Sequence, residues 1–104
     1  MASPSPLATK GERLGEALDL IYDEYEQALA LQDRLIAKFP EEGEVIEELK
    51  LRLNFEQARS LAERVDFAQD EPSKAEVDAV FNFGTCVTTV LEYCKSTSAE
   101  LKKK

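Results

Sequence analysis

The side chains able to do acid, base or nucleophilic chemistry in this chain are twenty-one acids, thirteen bases, two cysteines and three tyrosines, with no histidine. Without an imidazole there is no Ser-His-Asp or Cys-His pair, no histidine zinc site and no Glu-x-x-His di-iron cluster. Cys86 and Cys94 lie eight residues apart on what reads as a single helix. They are about 12 Å apart along its axis, too far for a disulfide, and their spacing matches no zinc pattern. As a nucleophile Cys86 has only Lys95 nearby, a poor substitute for an imidazole. The carboxylates fall on polar helix faces, where nothing raises a pKa enough for general acid catalysis. The four glycines are scattered, so no phosphate-binding loop is present, and there is no EF-hand loop either. The expectation is a non-enzymatic protein with no cofactor and no metal.

Charge narrows the partners. A net charge of −8 leaves no basic footprint for nucleic acid or an anionic membrane. The longest uncharged window, 79–91, is short of the ~20 residues a membrane span needs. Two cysteines without a disulfide spacing suit a reducing, cytoplasmic setting. Residues 1–9, with Pro4 and Pro6 among small residues, read as a disordered leader without a secretory or mitochondrial pattern. Residues 10–101 read as one domain and 102–104 as a basic tail. At 104 residues such a chain buries about 65% of the surface it exposes unfolded, enough for a modest core.

Three elements must carry these side chains. Thr9 and Glu12 form a capping box, and nothing interrupts a helix from there to Phe39-Pro40. Leu14, Leu18, Ile21, Tyr25, Ala28, Gln32, Leu35 and Phe39 alternate spacings of four and three, a heptad seam with one polar member. Pro40 and the glutamates after it predict a second helix over 41–69. Its two apolar stripes, Ile46-Leu49-Leu53 and Ala58-Leu61-Val65-Ala68, are out of phase by about two residues. Between them 49–55 alternates apolar and polar as a half-buried strand does, although no Gly or Pro breaks the helix there. Ser73 and Glu76 form another capping box, predicting a third helix over 74–101 with a seam through Val77, Val80, Gly84, Val87, Leu91 and Cys94. The expected fold is all-α: an antiparallel up-down-up three-helix bundle with coiled-coil-like heptad seams. Strands near 49–55 and 80–91 give the α+β alternative, because the second window is rich in β-branched and aromatic residues.

Helix three carries more apolar surface than its seam uses. Ala79, Phe83, Cys86, Val90 and Tyr93 form a second face, with Phe81 on the opposite flank. A surplus of this kind suggests a partner chain or self-association, with Leu51 and Phe55 of helix two as its shoulder. The alternative is that helix three is the most buried element, wedged between the other two. Gly84 costs ~1 kcal/mol in a helix interior, which close approach of another helix, or of Tyr25, Phe55 or Phe67, would offset. Helix one carries Glu12, Glu16, Asp19, Asp23, Glu26 and Asp33 along one line, at the outer positions where solvated charges belong. Two functions follow as expectations. One is an acidic helical subunit, adaptor or chaperone in an oligomer or larger helical assembly. The other is an inhibitor or antitoxin-like protein whose acidic line blocks a basic site on an enzyme or nucleic-acid-binding protein.

Overall fold

The structure, a computed structural model, describes residues 9–102. It contains four helices: α1 (Lys10–Lys38), α2 (Glu42–Arg52), α3 (Phe55–Glu63) and α4 (Lys74–Lys102). No strand is present among the described residues, so the α+β alternative is set aside. The leader up to residue 8 and the tail at 103–104 lie outside them. α1 begins at Lys10 behind its cap Thr9, as expected, and α4 runs to Lys102, one residue past the expected end of the third helix.

Both long helices start where their capping boxes place them. Glu12 N–H donates to Thr9 Oγ1 at 3.1 Å and Thr9 N–H to Glu12 Oε1 at 3.0 Å. Glu76 N–H donates to Ser73 Oγ at 3.2 Å and Ser73 N–H to Glu76 Oε1 at 2.9 Å. Each box satisfies two of the donors that a helix start leaves open. Pro40 keeps Phe39 out of the helical region, at φ −134° and ψ 80°, and α1 ends there.

The middle of the chain departs from expectation. In place of one helix over 41–69 there are two, parted at Leu53-Asn54, and residues 64–73 link α3 to α4 without a regular helix. Asn54 takes the left-handed conformation, φ 54° and ψ 44°. The cause is the phase slip between the stripes. Leu53 and Phe55 both pack against the core, yet in an unbroken helix residues two apart point about 200° away from one another. One left-handed residue turns the chain so that α2 buries Ile46 while α3 buries Phe55, Ala58 and Ala62. The buried stripe of α3 therefore runs through Ala62 rather than Leu61, which is 44% exposed.

Contacts fix the directions. Lys10 Nζ lies 3.3 Å from Glu71 Oε1, just before α4, and Thr88 Oγ1 donates to Glu24 Oε1 at 2.8 Å, so α1 and α4 run the same way side by side. Tyr93 Oη donates to Glu42 Oε1 at 2.6 Å, while Tyr22 Oη donates to Glu63, so α2 and α3 run the opposite way. α4 packs most extensively against α1 and α3 and also touches α2. At the centre Phe83, fully buried, holds Tyr22 and Phe55 edge-on with ring centroids 5.5 and 5.6 Å away, and Tyr25 joins Phe55 at 5.4 Å.

Candidate interaction surface

The residues first expected to meet a partner are mostly interior. Phe83, Cys86, Val90 and Phe55 are at most 3% exposed, and Ala79 and Tyr93 are half-buried. The surplus face of α4 is covered from within, because α4 lies between α1 on one side and the α2–α3 arm on the other. That corrects the expectation of a free face there, and wedging is the physical reason. Of the seven, Leu51 alone projects, at 76% exposure. It borders a hollow of about 240 Å³ beside the break, where Lys50 Nζ sits 5.6 Å from the Phe55 ring centroid.

The thiols are equally enclosed. Cys86 Sγ donates to the Leu53 carbonyl, 3.5 Å away, at the point where the break leaves that oxygen without a helical partner. Burial pushes both the Cys86 and Cys94 thiols up, away from the reactive thiolate. Among the described residues no three Cys, Asp or Glu side chains are grouped to hold a metal ion.

An open surface lies on the opposite flank of α4, where it meets α1. Leu20 is 69% exposed and Phe81 55%, and they stand on either side of a groove of about 490 Å³ floored by Ala17, Ile21 and Gly84. Gly84 shapes it: a Cβ there would stand 3.0 Å from Ile21 Cδ1. Ile21, not an aromatic ring, is the group that approaches this glycine. The α4 wall is Thr85, Thr88 and Thr89. Their hydroxyls are already engaged: Thr85 donates to the Phe81 carbonyl at 3.1 Å, Thr89 to the Thr85 carbonyl at 2.8 Å, and Thr88 to Glu24. With those donors engaged, the wall is less polar than its composition suggests. A second hollow of about 510 Å³ continues the groove along Leu20, Glu24, Gln27 and Lys95.

Compared with protein-family models, curated proteins and solved structures, the chain matches none.

The rims of the groove differ in charge. Between Arg13 and Arg34 α1 carries Glu16, Asp19, Asp23, Glu24, Glu26 and Asp33 and no base, whereas α4 has no charged residue between Asp78 and Glu92. Among the described residues none of those six acids forms an ion pair. Glu12, Glu16, Asp19, Asp23, Glu26 and Asp33 are all exposed, and Glu24, off that line, is drawn into the groove wall by Thr88. Leu20 went unnoticed because it lies off the seam. Its signal is an apolar residue set among Glu16, Asp19 and Asp23. No helix of the described residues is long and apolar enough to cross a membrane.

Proposed function

We propose that the protein is a non-catalytic helical interaction protein, working in the cytoplasm as a subunit, adaptor or chaperone of a larger assembly, that receives its partner across the α1–α4 groove. In this reading the fold is a three-helix bundle whose returning arm is split into α2 and α3, and α4 is its axis. The observation that carries the proposal is the pair Leu20 and Phe81, large apolar side chains held in water on either side of a recess that Gly84 keeps open. Side chains so placed lose solvent exposure when a second helix lies between them, the usual mode of helix-in-groove recognition. Such anchors in a desolvated pocket carry most of an interface's affinity.

The test is photo-crosslinking in the native source. A crosslinking residue at Thr85 should trap a partner, and one at the exposed but distant Ala37 should not. If Thr85 gives no adduct, or both positions give the same ones, the groove is not the interface. The unpaired acids of α1 favour one further reading, an inhibitor that presents Asp19, Asp23 and Glu26 alone to a basic site. Reversing those three charges would then abolish capture, while Leu20→Ser would leave it unchanged.

A further inference from the structure

Resting on that reading, we infer that the occupant of the α1–α4 groove is a basic amphipathic helix of another protein: apolar along its inward face and lined with Lys or Arg along the flank that meets α1. The groove supplies the shape and the charge asymmetry supplies the partner. Its floor and α4 wall offer apolar and hydroxyl-satisfied surface, which selects an apolar stripe. Its α1 wall, from Ala17 to Gln27, carries Asp23 and Glu24, with Glu16 one turn before Leu20 and no base, a stretch of about 15 Å at 1.5 Å per residue, the length of some ten residues of helix. Lys95 stands at the far end of the continuing hollow and Arg13 one turn before Ala17, so the cations close the acidic rim at its ends rather than divide it. An anionic occupant meets like charge along α1 between Arg13 and Arg34. A second copy brings another −8 and sets acids against acids at the same rim. A neutral helix fills the floor but leaves the rim carboxylates facing uncharged surface. Only a cationic flank complements both walls, and it confers a salt-sensitive association rate in addition to the apolar anchor.

The experiment is selection on the full-length chain from a displayed library of amphipathic helices with a fixed Leu and Phe stripe, the flank positions randomised among Lys, Gln and Glu. Recovered peptides should be enriched in Lys on a single flank and should shift the amide resonances of Leu20, Gly84 and Thr88. Leu20→Ser combined with Phe81→Ser should weaken the best of them at least ~10-fold, and Glu16→Lys with Asp23→Lys several-fold at low salt and less at high salt. Peptides that bind these residues with no preference among the three flanks would overturn the basic-helix inference and leave the groove reading standing. Peptides that fail to bind at all, from a chain shown folded by its unshifted spectrum, would overturn both. Dimerisation of the chain alone, lost in Phe81→Ser, would replace the basic helix with a second copy.

Discussion

At the scale of single residues, two glycines look alike in the sequence and are unlike in the structure. A Cβ on Gly11 would overlap the Gln69 carbonyl oxygen and stand 2.8 Å from that of Phe67, both backbone atoms that cannot step aside. At Gly84 the obstacle is the end of the Ile21 side chain, which can change rotamer. Gly11→Ala should therefore cost more than about 2 kcal/mol, whereas Gly84→Ala, which also gains ~1 kcal/mol of helix propensity, should stay within about 1 kcal/mol of wild type. Urea midpoints of the two variants decide this, and equal losses would refute it. Gly84 was legible as a packing position, but nothing near Gly11 announces its role, since the carbonyls it touches lie more than fifty residues away in the α3–α4 link. Tyr22 carries a pH signature. Burial, then the hydrogen bond and charge of Glu63, push its hydroxyl up to about 12 from an ordinary 10.0. With the folded pKa above the unfolded one, its contribution is complete below pH 10 and disappears as pH rises toward 12. Tyr22→Phe should flatten the alkaline loss of stability over that window, read as urea midpoint against pH. Tyr93 is raised too, for the same reasons of burial and a carboxylate partner, and the buried Cys86 and Cys94 thiols are raised as well, so these groups add to the remaining alkaline slope.

At the scale of elements, the caps and proline turns were legible because their signals are local: a side chain three residues from its partner, or a ring that forbids a conformation. The break between α2 and α3 was only half legible. The sequence shows the slip in phase and the alternating run across 49–55, but with no Gly or Pro there it does not show whether the chain answers with a strand or a kink. Tertiary packing decides, because Phe55 must reach the ring cluster around Phe83. Asn54 makes no capping hydrogen bond with its side chain, so its contribution is conformational. Asn and Gly tolerate the left-handed region that most L-residues enter at a cost of roughly 1–2 kcal/mol. Asn54→Ala should accordingly lose about 1 kcal/mol while Asn54→Gly stays close to wild type. Thermal melts of the pair test this, and matching losses would show that the side chain, not the backbone angle, matters at this position. The surplus apolar face of α4 was read correctly as apolar and wrongly as free. One-dimensional periodicity gives the width of a stripe, not the number of neighbours available to cover it.

At the scale of the whole molecule, the balance between charge and the open groove sets colloidal behaviour. The sequence pI is about 4.6, so at neutral pH copies repel one another and that repulsion opposes contact through Leu20 and Phe81. Near pH 4.6 that repulsion vanishes and the exposed apolar pair is left unopposed. Static light scattering should show reversible association centred there, diminished by Phe81→Ser and restored to monomer on returning to neutral pH. Association that ignores the substitution would place the sticky surface elsewhere, with Leu51 beside the break as the next exposed anchor. The thiol that Cys86 lends to the orphaned Leu53 carbonyl extends this to time. No reagent reaches that sulfur unless the joint between α2 and α3 parts from α4, so alkylation of Cys86 measures how often the molecule breathes at its seam. When closing outruns labelling, the rate gives the population of the open form; when it does not, the rate gives the frequency of opening itself. The protein therefore carries its own clock at the one place where its longest uninterrupted stretch of helix-forming sequence is bent.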